Sequence, residues 1–330
     1  MVRIDVHAHI TPQNWEDMRS RYAGDWPRIV HDRDRPGCAT LLRGDRPFRT
    51  VTDQLWDPAR RIADMDRARV DRQLLSPPPD LFCYWADARG AAEFARMQND
   101  HIAEVVARHP QRFYGAGTLP LQDMDLALKE LDRVRRELRL HAIEIGTHVA
   151  GRPLADEQLI PLFQAAERLD TPVFVHPAGP AIGMERAPSP QYGISIGYAL
   201  DTTVTIYGLL ATGAVARFPG LRICWAHAGG AFPFVLPRLE HAWNKVGAAK
   251  QAAPRPPSAY LDNFYFDSIT HSRIGLRFVI DTLGADRVVM GTDYPFAMGV
   301  EDPVTDLDRI AEGQQIMGAN AERFLGVKEA

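Results

Sequence analysis

Eight times along this chain a short apolar run of strand character gives way to a stretch of helical period, and that rhythm leaves few folds open. The strand runs are 2–10, 70–75, 112–117, 141–146, 172–176, 221–227, 264–267 and 287–291. Helical stretches start at Pro58 and cover 91–108, 123–138, 156–169, 198–218, 232–246, 272–283 and 303–324. Regular strand–helix alternation requires parallel pairing, and eight units close into a (β/α)8 TIM barrel. The rival is an open, doubly wound sheet. No Gly-x-Gly-x-x-Gly opens a helix after any strand, and Gly229-Gly230 alone does not replace it. The chain reads as one domain, 1–330, with 11–57 as an insertion after the first strand. Two apolar segments within 39–51 flank Gly44-Asp45, which predicts a β-hairpin there.

A barrel of this kind builds its site at the C-terminal ends of its strands, so the residues that end each strand carry the functional information. Strand one ends Asp5-Val6-His7-Ala8-His9. Side chains at i and i+2 of a strand share a face, which brings both imidazoles within reach of one ion. Strand five ends in His176, strand six in His227 and strand eight in Asp293. Four histidines and an aspartate therefore meet at one rim. Three imidazoles and a carboxylate suit a divalent, zinc-like ion and leave room for water, as a catalytic site requires.

Bulk composition removes other classes. The 38 Lys and Arg stand against 42 Asp and Glu, for a net charge of −4, and no block of like charge forms, so no nucleic-acid groove is expected. Cys38, Cys83 and Cys224 are too few for a disulfide framework or a cysteine-rich zinc site, and an odd count suits reduced thiols. The chain opens without a basic-then-apolar leader and holds no uninterrupted apolar run of ~18 residues, so a cytoplasmic protein with no membrane partner is expected.

The strand-end pattern resembles the amidohydrolase superfamily of metal-dependent barrels. Several further segments are similar to the 2-amino-3-carboxymuconate-6-semialdehyde decarboxylase family within it. They are Phe48-Arg49, Leu55-Trp56-Asp57-Pro58, Arg61-Ile62, Met65-Asp66, 117–122, 145–148, 226–234 and Gly291-Thr292-Asp293-Tyr294-Pro295-Phe296. The resemblance implies one zinc ion, with manganese as the alternative, held by His7, His9, His176 and Asp293. It implies a non-oxidative decarboxylase acting on a small carboxylate, the aminocarboxymuconate semialdehyde or a close unsaturated acid, and a homodimer. A second metal in such barrels generally needs a carboxylated Lys on strand four, where this chain carries Glu144. His227, with Asp293, is implied as catalytic, His227 as acid/base or as a further ligand. Arg49 and Arg238 are implied to hold substrate, Arg238 from the neighbouring subunit, and Phe82 and Trp85 to wall the pocket.

The chain departs from the family after strand five. The family's His-Pro-Trp-Asp-Met is replaced by His176-Pro177-Ala178-Gly179-Pro180-Ala181-Ile182-Gly183, which reshapes the pocket beside a ligand. A hydroxybenzoate decarboxylase or a C–C bond hydrolase of the same superfamily is the alternative, favoured if the altered loop admits an intact aromatic ring.

Overall fold

The computed structural model describes residues 2–186 and 189–328. Residues 187 and 188 of the altered loop lie outside the described residues. Eight parallel strands are hydrogen-bonded in sequence order: β1 Ile4–His9, β2 Arg72–Ser76, β3 Phe113–Gly117, β4 Ala142–Gly146, β5 Val173–His176, β6 Ile223–Trp225, β7 Phe264–Asp267 and β8 Val288–Val289. The ring closes between its first and last members. Val6 N donates to Met290 O at 2.9 Å, Asp293 N to His7 O at 2.8 Å and His9 N to Tyr294 O at 2.7 Å. β8 is shorter than the expected 287–291 because beyond Val289 the chain meets β1 through these separate bonds and bends at Asp293, whose φ is +60°.

Helices between the strands begin where their caps dictate. Asp57 accepts from Ala59 N, with Pro58 at the first helical position of 58–67; Asp87, Asp123 and Ser272 cap 88–108, 124–136 and 273–283 in the same way. The helix expected from 156 starts at Ile160, and the expected 303–324 helix breaks into Pro303–Leu307, a π-turn at Gln315–Ala319 and Asn320–Leu325. The strand faces that pack inside the barrel form a compact cluster with Ile4, Val6, Leu74, Phe174, Cys224 and Val289, stoppered by Ala321, Phe324 and Leu325 of the last helix. All three cysteines are free, and Cys83 and Cys224 are buried.

Residues 27–52 form a separate antiparallel sheet. The expected hairpin is present as Cys38–Arg43 and Arg46–Thr52, and Pro27–His31 adds a third strand beside the first of these. Gly44 makes the turn at φ +61°, where a Cβ would stand 2.7 Å from Asp25 Oδ1. Between β5 and β6, Gly193–Ala211 is the one described helix with the length and hydropathy of a membrane span, at a mean hydropathy of 1.3 and with a third of that window buried. Ser195, Asp201 and three threonines interrupt it, so no uninterrupted apolar run is visible in the sequence.

Candidate active site

The end of β1 brings two imidazoles to one point. His7 Nε2 and His9 Nε2 are 3.2 Å apart, and both rings are buried. Their other nitrogens are already committed. His7 Nδ1 donates to Asp267 Oδ2 at 2.7 Å, and His9 Nδ1 faces the Pro77 carbonyl at 3.3 Å. Acceptors on both Nδ1 atoms leave the two Nε2 atoms, which face each other, as the positions open to a shared cation.

Asp293 joins them from the far side of the barrel seam. Its Oδ1 lies 3.2 Å from His9 Nε2, 3.4 Å from His7 Nε2 and 4.0 Å from His176 Nε2. His176, at the end of β5, turns its Nδ1 to the Pro177 carbonyl at 2.7 Å, and its Nε2 is buried without a hydrogen-bond partner. A buried, unpartnered lone pair beside two others and a carboxylate is costly unless something electropositive binds there. The donor set of three imidazoles and one carboxylate fits a divalent cation. One ligand atom each from His7, His176, His227 and Asp293 all lie within 4.8 Å of one another, so His227 stands close enough to act as a ligand or as an acid/base.

Backbone conformation places the last two of these groups. His227 and Ala228 sit at φ +55° and +54°, and Asp293 at +60°, a region that non-glycine residues occupy at a cost of roughly 1–3 kcal/mol each. Asp267 compensates at the first turn by accepting from His227 N and Ala228 N, both at 2.8 Å. Its carboxylate thus fixes His7 and the His227 turn together. His227 Nε2 then lies 3.9 Å from Asp293 Oδ2, with its side chain about a quarter exposed.

Electrostatics follow from burial and these contacts. Burial opposes charge on His7, but Asp267 and Asp293 outweigh it and push the imidazole up to about 10. Burial lowers His9 to about 4 and holds His176 well below the usual range, while the surrounding imidazoles hold Asp293 well down against its own burial. Glu144, on β4, is buried with neither carboxylate oxygen hydrogen-bonded, 3.9 Å from His9 Nδ1, and desolvation raises it to about 8. These values belong to the protein groups alone; a divalent cation would compete with protons for the same atoms.

A cavity of about 600 Å³ opens above this cluster. His176, His227 and Asp293 form part of its wall with Arg49, Asp80, Tyr198 and Phe296. Arg49 thus reaches the site from the inserted sheet. The other expected wall residues do not. Phe82 is buried and stacked on Tyr84 with ring centroids 5.5 Å apart, and Trp85 lies under the Arg43 guanidinium at 3.4 Å. Phe82 is spent on the main core beside β4, and Trp85 on a contact with the insertion. Arg238 is exposed on the Phe232–Lys245 helix and does not line the cavity of its own chain. Sequence reasoning assigns no role to Asp267, Asp80 or, within its quoted segment, Phe296. Asp267 ends β7 and obeys the same strand-end rule as the residues that were singled out.

Comparison with known proteins bears on the fold and the family. The amidohydrolase family profile matches residues 4–327. The 2-amino-3-carboxymuconate-6-semialdehyde decarboxylase of Dictyostelium discoideum is 36% identical over 334 residues, covering 99% of this chain and 92% of that protein. Among solved structures, 5-carboxyvanillate decarboxylase from Sphingomonas paucimobilis superposes with a TM-score of 0.81 at 28% identity, over 99% of this chain and 100% of that one. A dihydroxybenzoic acid decarboxylase from a Polaromonas species, solved with manganese and 2-nitroresorcinol, shares the fold with a TM-score of 0.81 at 24% identity, over 100% of this chain and 98% of that one.

Proposed function

The chain belongs to the amidohydrolase family, and from that premise we propose that it is a metal-dependent, non-oxidative decarboxylase of 2-amino-3-carboxymuconate 6-semialdehyde or a close unsaturated carboxylic acid. One observation carries the reading: buried imidazoles and the Asp293 carboxylate converge at a cavity floor, with His227 Nε2 facing Asp293 from the same wall. His7, His9, His176 and Asp293 would hold the cation, with zinc as the preferred ion. Once bound, such a cation supplies Lewis-acid polarisation and neutralises substrate charge.

The chain's own groups supply the remainder. Arg49 orients the substrate through a carboxylate, since its planar fork matches that group. Phe296, whose ring lies 5.1 Å from the His9 ring, closes one side of the cavity and keeps water from the reacting carbon. His227 holds a proton at Nε2 and delivers it to the carbon that loses its carboxyl group. The C–C bond electrons stay on that carbon, take the proton, and CO2 departs; solvent then reprotonates His227, which its partial exposure permits. Asp293 Oδ2, 3.9 Å away, orients the imidazole for that transfer. His227→Ala tests this assignment: CO2 release should fall by at least ~100-fold with metal content unchanged, and near-normal turnover would remove the role.

A hydroxybenzoate substrate is the second reading, favoured by the aromatic side chains Phe234, Phe278 and Phe296 on the cavity wall. A homodimer supports either substrate. Ile194, Ile196, Leu200, Val204 and Tyr207 are exposed along one helical segment, and Phe234 beside the cavity is 77% exposed. A second copy covering this apolar face is the arrangement that would let Arg238 reach a cavity. Full activity in a proven monomer would sink it. Free Cys38, Cys83 and Cys224 fit a reducing compartment, and the cytoplasm is the proposed location.

A further inference from the structure

Arg49 Nη2 and Asp80 Oδ2 face each other at 2.7 Å on the cavity wall. Among the described residues lining that cavity, Arg49 is the one lysine or arginine, and an acid already meets its charge. A wall shaped for an anion alone gains nothing from Asp80, because the aspartate repels the carboxylate that Arg49 attracts. The pair therefore reads something other than bare negative charge.

Both members are held in place before any ligand arrives. The guanidinium lies 4.3 Å from the centroid of the Phe296 ring, and its Nε is buried with no acceptor, so the fork keeps an unused donor. Asp80 belongs to the short turn Pro79–Leu81 after β2, and the three prolines Pro77, Pro78 and Pro79 before it stiffen that turn. The two side chains are each less than one-third exposed, at 30% and 22%. A cationic donor and an anionic acceptor thus stand side by side, at the spacing of neighbouring substituents on one small molecule.

We propose that Asp80 is a specificity-determining residue: with Arg49 it selects acids in which a hydroxyl or amino group neighbours the carboxylate. Arg49 binds the carboxylate, and the adjacent O–H or N–H donates to Asp80. The assignment rests on the decarboxylase reading of this cavity and narrows its substrate class. An acid lacking the neighbouring donor brings its carboxylate beside that of Asp80 with no hydrogen bond between them, which is the stronger source of discrimination.

The test is calorimetric binding of benzoate, salicylate and anthranilate to the manganese-loaded protein, with CO2 release from 2-amino-3-carboxymuconate 6-semialdehyde followed separately. Wild type should bind salicylate and anthranilate about tenfold or more tightly than benzoate, the value of a hydrogen bond to a charged group. In Asp80→Leu that ratio should collapse to near one with metal content unchanged. Should Asp80→Leu fail to fold, Asp80→Asn keeps the shape and a neutral acceptor, and the ratio should fall to about threefold. A ratio that survives either substitution, equal weakening of all three ligands, or a wild type without preference overturns the proposal. Missing CO2 release beside an intact binding preference would instead remove the decarboxylase reading and leave Asp80's role standing.

Discussion

Asp267 Oδ2 accepts from two sources at once, His7 Nδ1 at 2.7 Å and the His227 backbone amide at 2.8 Å. One carboxylate thereby sets the tautomer of a candidate metal ligand and the backbone turn that presents a candidate proton donor. Asp267→Asn leaves one accepting oxygen for donors on both sides, because Oδ1 already accepts from Ala228 N at 2.8 Å and Ile269 N at 3.0 Å; with the oxygen kept there, the amide nitrogen faces His7 and cannot accept. The imidazole would then move its proton to Nε2, and metal affinity should drop by about 10–100-fold, as loss of such partners generally costs. Titration of metal into the stripped protein checks this directly; unchanged affinity would show that the tautomer is set elsewhere.

Removing the cation should cost more than activity. Stripping with a chelator leaves His176 Nε2 and its neighbours buried and unpartnered, and readdition of zinc or manganese should restore turnover. Free metal at about 100 times its dissociation constant should add roughly 2.7 kcal/mol of stability by mass action. Thermal melts with and without metal read this, and identical melting curves would argue against a resident ion.

Arg61 offers a different kind of test. Its guanidinium is fully buried, donates to the His9 carbonyl and to Gln73 Oε1 at 3.1 Å, and lies 4.6 Å from the centroid of the Tyr294 ring; burial lowers it to about 10. Gln73 in turn donates to Asp5 Oδ2 at 2.9 Å, and Asp5 accepts from Thr292 N at 3.0 Å, next to Asp293. Arg61→Met should destabilise by on the order of 3 kcal/mol through the polar groups left unmet. Urea denaturation would measure it, and a loss under about 1 kcal/mol would mean that the network repairs itself.

Acid stability should respond to a histidine far from the metal cluster. His141 accepts from Gly115 N at 3.4 Å, and burial, reinforced by Arg135 and Arg72, lowers it from 6.5 to about 4. Between those values the unfolded chain binds the proton and the folded chain does not. Stability conferred by neutral His141 is therefore present above pH 6.5 and lost as pH falls toward 4, by up to about 3 kcal/mol. His141→Gln should flatten that slope, and an unchanged slope in urea midpoints across the window would assign it to other groups.

The barrel and the convergence of its strand-end histidines with Asp293 are both legible because they rest on local rules. Alternating strands and helices declare the topology, and a polar residue at a strand's C-terminal end declares the rim. Asp267 satisfied the same rule but sits in Phe266-Asp267-Ser268, which reads as an ordinary turn start. Asp80 was hidden in a proline-rich turn, and its meaning depends on Arg49, which arrives from a separate sheet. Trp85 lies off the cavity for the opposite reason: an aromatic after a strand fits a pocket wall equally well, and nothing local reveals that its ring meets Arg43 instead. Pro27–His31 was missed because it carries too few apolar residues to show a period.

The seam between β1 and β8 has a temporal consequence. His9 and Asp293 are 284 positions apart in the chain, yet their side chains meet across the junction where the ring closes. A ribosome must therefore release nearly the whole polypeptide before the proposed cation site has its full set of side chains. Capture of the proposed cation would then be the last clasp of folding, and a truncated or unclosed chain would lack part of that candidate ligand set.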